Sequence, residues 1–281
     1  MSRLLTGKLA VITGASRGIG AAIAENLASK GCNIIINYTS DSSSRLASEL
    51  QLQLESKHGI KALPVQAEIG SESGALAIVD AAKEAFGTDG KVQIDIIVNN
   101  AGIASNAFIQ DVKADQFTNT YRVNVLGPLL LIQAAQPYLP TDRSGRIINV
   151  SSVSSSTGFV GQSVYGGTKA ALEAMTRTWA RELVENATVN AINPGPVEGP
   201  MYASNLPAIL DNIGAYNKHT PGMNPRPGVD NAESLEDAKK YGGRLAHVEE
   251  VAGIVGMLCN PESQWCTGQV VCANGGMVLL H

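Results

Sequence analysis

The chain has 281 residues, 44% of them apolar and 16% charged, with a net charge of −4. That apolar share supports a full core and excludes disorder of the whole chain, and the mildly acidic balance excludes the basic footprint of non-specific nucleic-acid binding. The 29 glycines follow no three-residue period, which excludes collagen and points instead to many tight turns.

In chain order, short apolar runs alternate with segments of helical spacing. Lys8–Thr13 reads as a buried strand and Gly20–Ser29 as a helix closed at Gly31. Asn33–Asn37 and Lys61–Val65 read as strands on either side of a helix over Ser43–Lys57. A helix over Ala75–Phe86 leads to a strand at Ile94–Val98, and Arg146–Ser151, Thr188–Ile192 and Gln269–Ala273 complete the set. Continuous β-branched runs, rather than alternation, suit strands covered on both faces. The pattern predicts an α/β fold: a single-domain, Rossmann-type, doubly wound parallel sheet of about seven strands, with helices on both faces, over residues 1–281. Residues 203–243, rich in Pro, Gly and Asn, are long for a loop inside such a domain. They are expected to form a substrate-binding lid insertion, with a disordered excursion as the competing reading.

No apolar run reaches the ~18 residues of a membrane span, since Val123–Ala135 is broken by Asn124, Gly127, Pro128 and Gln133. Arg3 precedes a run interrupted by Gly7 and Lys8, so no targeting segment and a soluble, cytoplasmic protein are expected. Cys32, Cys259, Cys266 and Cys272 form no C-x-x-C pair and read as reduced thiols. His58, His219, His247 and His281 are scattered, without acidic partners in sequence, and no metal site is expected. Trp179 is expected in the core or at a subunit contact, and Trp265 against the C-terminal strand.

The first strand runs into Gly14-Ala15-Ser16-Arg17-Gly18-Ile19-Gly20 and then a helix. Glycines let backbone N–H groups approach a pyrophosphate, and the helix N-terminus adds a partial positive charge. The spacing is G-x-x-x-G-x-G, not G-x-G-x-x-G, but the strand–turn–helix context is the one such a motif requires. Gly14, Ser16, Arg17, Gly18, Ile19 and Gly20 are therefore candidate dinucleotide ligands. After the second strand the chain reads Asn37-Tyr38-Thr39-Ser40, with no carboxylate until Asp41. A carboxylate would repel a ribose 2′-phosphate, whereas hydroxyls, amides and Arg17 accept one, so NADP(H) is predicted over NAD(H).

Tyr165 and Lys169 stand at i and i+4, on one helix face. A free Tyr has a pKa near ~10, and a neighbouring ammonium is expected to lower it and suit the phenol to proton transfer. Ser151-Ser152 closes a strand just before that helix. Asn99–Gly102 and Asn193–Gly195 also follow strands. In an open parallel sheet all of these converge at the carboxyl edge, where ligands bind.

TGASRGIG (13–20), NNAG (99–102), Asn124, Ser152, YGGTK (165–169) and NPG (193–195) together resemble the short-chain dehydrogenase/reductase family, from Lys8 to about Leu280. The resemblance implies a catalytic tetrad of Asn124, Ser152, Tyr165 and Lys169. Tyr165 would donate the proton in reduction, and Ser152, chosen over Ser151 by the family's offset, would bond the substrate oxygen. Lys169 would bind the nicotinamide ribose and tune Tyr165, and Asn124 would hold a relay water. The resemblance further implies cofactor contacts at Asn100, Ala101, Gly102, Pro194, Gly195 and Val197, with Glu68 and Ile69 near the adenine in place of the usual Asp. Val197-Glu198-Gly199 departs from the family's Thr after the NPG turn, and Asn274 stands where an aspartate is usual.

Within the family the chain resembles fungal polyketide ketoreductases and acyl-carrier ketoreductases. It is therefore expected to reduce a ketone to an alcohol with NADPH, the ketone being bulky, cyclic or polyketide-like. The alternatives are an alcohol dehydrogenase working in the oxidative direction and a non-catalytic NADPH sensor or scaffold. Met201 and Tyr202 are expected on the pocket wall. A homo-oligomer, tetramer or dimer, is expected, with Leu172, Met175 and Trp179 as apolar contacts.

Overall fold

The computed structural model describes residues 3–89 and 91–279; Leu280 and His281 lie outside the described residues. Seven parallel strands form one sheet: β1 (Leu9–Ile12), β2 (Asn33–Tyr38), β3 (Ala62–Gln66), β4 (Ile96–Asn99), β5 (Gly145–Val150), β6 (Ala187–Pro194) and β7 (Val270–Ala273). Their order is β3-β2-β1-β4-β5-β6-β7, so the direction of winding reverses at β1. Successive residues of a strand point to opposite faces. Ala10, Ile12, Ile34, Ile36, Ile148 and Ile192 pack on one side, and Leu9, Val11, Ile35, Ile97, Ile147 and Val189 on the other. Each fully buried Ile or Leu contributes about 1.5–3 kcal/mol, which is why every central strand is apolar at both parities.

Helices α1 (Gly18–Ser29), α2 (Ser44–His58) and α11 (Val248–Leu258) supply apolar faces to the first layer through Ile23, Leu27, Leu54, Val251 and Val255. The second layer is met by α3 (Glu72–Phe86), α5 (Gly127–Ala135) and α7 (Ser163–Glu182) through Ile78, Leu131, Leu172 and Trp179. A short α4 (Ala114–Tyr121) runs into a π turn at Arg122–Leu126. The expected strands and helices are present, with ends moved by up to three residues. No helix among the described residues is long and apolar enough to cross a membrane.

The segment 203–243 reads as a loop in sequence but is largely helical. A short α6 (Ser154–Thr157) precedes α7, and α8 (Pro200–Ala203) leads into α9 (Pro207–Asn217) and α10 (Ala232–Tyr241). Pro207 opens α9, the Asn231 side chain caps α10 by accepting from Ser234 N at 2.8 Å, and Gly242 closes it at φ +79°. Ile209 and Ile213 pack with Val153 and Phe159, and Met223, Tyr241 and Leu245 form a second small cluster.

The two tryptophans divide. Trp265 is fully exposed at 100%, not packed against the last strand, because it sits in the turn before β7. Trp179 lies in the core, the first of its two expected places, and Leu172 is buried there with it, so neither is free for the subunit contact expected of them; Met175 is half-buried against that core.

Candidate active site

The loop after β1 is built on Thr13. Its Oγ1 accepts from the amides of Asn100 and Ala101, at 3.0 Å each, which ties the β1 and β4 ends together. Asn100 Nδ2 donates to Thr13 O at 2.9 Å and Gly14 O at 3.1 Å. A Cβ at Gly20 would lie 2.4 Å from Gly14 O, so the turn closes only on glycine. Gly18 adopts φ +59°, with open space where a Cβ would project. Helix α1 starts there with no side-chain cap and no acidic residue in its first turn. Free first-turn amides above a glycine cradle fit a dinucleotide pyrophosphate.

The four residues after β2 divide. Asn37 is buried: Oδ1 accepts from Gly14 N at 3.3 Å, and Nδ2 donates to Val65 O at 3.3 Å and Ala67 O at 3.1 Å. Its amide braces the loop, which corrects the expectation that it meets a 2′-phosphate. Tyr38 is half-buried, its hydroxyl on Ser44 Oγ at 3.4 Å. Thr39 and Ser40 are exposed, as is Arg17, which makes no ion pair among the described residues. The Glu68 carboxylate is engaged by Arg122 at 3.3 Å and by Gly70 N at 3.2 Å, while Ile69 is buried against Gly127.

Ser152, Tyr165, Lys169 and Asn124 meet at the carboxyl edge. The Ser152 hydroxyl accepts from Ser154 N at 3.2 Å and donates to Ser154 Oγ at 3.0 Å, and it lies near enough to the Tyr165 phenol to favour its ionised form. Ser151 turns the other way: it is buried and donates to Glu173 Oε1 at 2.6 Å. Lys169 Nζ donates to Val150 O at 2.7 Å and lies 5.6 Å from the Tyr165 ring centroid. Desolvation lowers the Lys169 amine to about 8, opposed by the Glu173 carboxylate.

Burial also pushes the Tyr165 phenol above its ordinary range, with the Ser152 hydroxyl opposing it. The expected acidification of Tyr165 by Lys169 is therefore not seen. The ammonium is aimed at a backbone carbonyl, and desolvation of the phenol prevails.

The π turn carries Asn124 inward, where it is fully buried. Asn124 Nδ2 donates to Ile103 O at 2.9 Å and Thr168 Oγ1 at 3.1 Å. A Cβ at Gly102 would lie 3.3 Å from Asn124 Oδ1 and 3.5 Å from Lys169 Nζ, so glycine keeps that approach open.

Pro194 ends β6, Gly195 passes against Asn274, and Val197 forms a parallel bridge with Ala246. Tyr202 packs edge-on to Tyr241 at 5.2 Å and accepts from Asn217 at 3.2 Å, which puts its hydroxyl inside the helical lobe rather than on a free wall. His58 and His247 have the acidic partners that the sequence did not reveal, Glu25 at 2.8 Å and Glu198 at 2.9 Å. Thr13 and Thr168 stand within TGASRGIG and YGGTK but had no role of their own in the sequence, and Glu173, one turn beyond Lys169, carried only a spacing signal.

The short chain dehydrogenase family model matches residues 8–209. The chain is 51% identical to L-xylulose reductase of Aspergillus niger, over 99% of both chains. It is 49% identical to L-xylo-3-hexulose reductase of Hypocrea jecorina, over 99% of this chain and 98% of that one. Among solved structures, the angucycline C-6 ketoreductase LanV with bound NADP superposes with a TM-score of 0.82 at 29% identity, over 99% of this chain and 98% of that one. Fold, motifs in their places and full-length similarity agree: this chain belongs to the short-chain dehydrogenase/reductase family of oxidoreductases.

Proposed function

We propose that the protein reduces a ketone to a secondary alcohol with NADPH, through Ser152, Tyr165 and Lys169 supported by Asn124. The observation that carries this reading is the meeting of those four side chains beside a glycine cradle at one sheet edge. Gly14, Ser16, Arg17, Gly18, Ile19 and Gly20 would hold the phosphates, and Arg17, Thr39 and Ser40 the 2′-phosphate. Tyr38, Glu68 and Ile69 would border the adenosine. Asn100, Ala101 and Gly102 would support the adenosine side, and Pro194, Gly195 and Val197 the nicotinamide.

The bound dinucleotide supplies the electron pair that reduces the carbonyl carbon. The chain supplies the rest. Ser152 donates a hydrogen bond to the carbonyl oxygen, and Tyr165 gives it a proton as negative charge develops there. Lys169, one turn away, stabilises the resulting phenolate and returns its proton. Burial keeps the Tyr165 phenol protonated, as donation to the carbonyl oxygen requires.

The substrate is a polyhydroxy ketone of sugar size. The two relatives at about half identity are named for reducing L-xylulose and L-xylo-3-hexulose. Two buried amide oxygens without a protein partner among the described residues, Asn106 Oδ1 and Gln162 Oε1, suit the hydroxyls of such a molecule. They lie on segments joined by the Ala107 N to Gly161 O bond, just before Tyr165. A bulky cyclic ketone is the second reading, favoured by the likeness to LanV.

Residues 203–243 serve as the lid: Asn205 accepts from Asn106 Nδ2 at 2.5 Å, and Ile209 lies against Gly161. The protein works as a cytoplasmic homo-oligomer, tetramer or dimer. NADPH oxidation across a panel of pentuloses, hexuloses and polycyclic ketones tests the reading. Turnover of ketoses supports it, turnover of polycyclic ketones alone moves it to the second substrate class, and tight NADPH binding without turnover makes the protein a sensor.

A further inference from the structure

Between β5 and α7 the chain must present Ser152 to Tyr165 from a loop, and loops are seldom held to a fraction of an ångström by backbone alone. Here the loop is gripped on both sides of Ser152. Ser151 Oγ donates to Glu173 Oε1 at 2.6 Å, and Ser155 Oγ donates to the same oxygen at 2.7 Å. Glu173 is buried, at 8% exposure, on the helix that carries the proton-transfer pair, four residues after Lys169 and eight after Tyr165. Lys169 adds a third tie through Val150 O at 2.7 Å.

We infer that Glu173 is a positioning residue for the reaction: one carboxylate oxygen clamps Ser151 and Ser155, and with them Ser152, to the helix bearing Tyr165 and Lys169. The inference rests on the reading of those residues as the reducing machinery. Two consequences separate it from a merely structural role. The clamp fixes the Ser152–Tyr165 geometry, so its loss lowers turnover more than nucleotide binding, because small misplacements of reacting groups cost rate steeply. The carboxylate also opposes the desolvation of the Lys169 ammonium, so removing its charge moves that group's titration to lower pH.

The test compares wild type with Glu173→Ala, Glu173→Gln and Ser155→Ala, by steady-state kinetics against pH and by hydrogen exchange over residues 151–157. Glu173→Ala is expected to lose at least about 10-fold in kcat, with the NADPH KM within about 2-fold. It should exchange faster over 151–157, and the alkaline limb of its pH profile should move down. Glu173→Gln keeps an acceptor oxygen without the charge. It should recover kcat to within about 3-fold while keeping the moved limb, and it also serves if Glu173→Ala fails to fold. Ser155→Ala should lose about 3-fold.

Wild-type kcat, pH limb and exchange in Glu173→Ala overturn the inference. So does a loss of thermal stability with the limb unmoved, which is the signature of structure alone. A wild type that reduces no ketone sinks the activity reading instead, and the exchange measurement still decides the clamp: unchanged protection over 151–157 overturns it.

Discussion

Asn124 pairs with Ile103 as one backbone pairs with another. Its Oδ1 accepts from Ile103 N at 2.9 Å, and its Nδ2 donates to Ile103 O at 2.9 Å. A side chain from a π turn thus fixes the irregular segment that leaves β4 and borders the cleft. Replacing it by Ala leaves a part-buried amide and a carbonyl without their partner, each worth up to about 1–3 kcal/mol. Asn124→Ala is expected to lower stability by at least about 2 kcal/mol in urea unfolding and turnover by at least about 10-fold. Unchanged midpoint and turnover would refute that role.

Tyr165→Phe removes one hydroxyl and leaves the packing of the ring. Turnover is expected to fall about 100- to 10,000-fold, with NADPH binding retained when followed by its fluorescence. Near-normal turnover would remove the phenol from the mechanism.

The Lys169 ammonium, lowered to about 8, sets the alkaline limb of the free enzyme. The group is charged below that value and neutral above it. Since the phenolate left by proton donation is stabilised by the charge, kcat/KM for reduction should be flat below about pH 7, half lost near pH 8 and falling further above it. A profile still flat at pH 9.5 contradicts this assignment. The sign for stability is opposite: the unfolded lysine binds its proton up to its ordinary value near ~10.4, so the native state gains stability as pH rises from about 8 toward that value.

Arg17 stands exposed at the N-cap of α1. A charge-assisted bond to a 2′-phosphate is worth about 1.5–3 kcal/mol. Arg17→Ala should therefore raise the NADPH KM about 10-fold or more and leave the NADH KM within about 2-fold. A wild type with a higher kcat/KM for NADH than for NADPH would remove the basis of the cofactor assignment.

Asn37 looks in sequence like a cofactor-selecting position, and the structure gives it a different task. Asn37→Asp would set a carboxylate against the carbonyls of Val65 and Ala67, which now accept from its amide. The expected result is a loss of at least about 2 kcal/mol in stability rather than a switch to NADH. A stable Asn37→Asp protein that prefers NADH would contradict this.

Much of this protein was determined by its sequence alone. The continuous β-branched runs of Val11, Ile35 and Ile97 specify strands covered on both faces, and alternation with helices then leaves the parallel, doubly wound sheet as the compact solution. Gly14, Gly18 and Gly20 mark the dinucleotide turn, Gly20 because a Cβ would meet Gly14 O and Gly14 and Gly18 because their φ is positive, and the i, i+4 spacing of Tyr165 and Lys169 puts them on one face. Only the tertiary structure decided the rest, because each item depends on residues far apart in the chain. Ser151 turns to Glu173 and Ser152 to Tyr165; Asn37 is consumed by bonds to the β1 loop and β3; Asn124 reaches Ile103 through a π turn that no local pattern announces. The helices in 203–243 were hidden by their Pro and Gly, which punctuate the segment but, at Pro207 and Gly242, act as helix ends. The energy of the Tyr165 phenol likewise follows from burial, a property of the assembled fold and not of its neighbours in sequence.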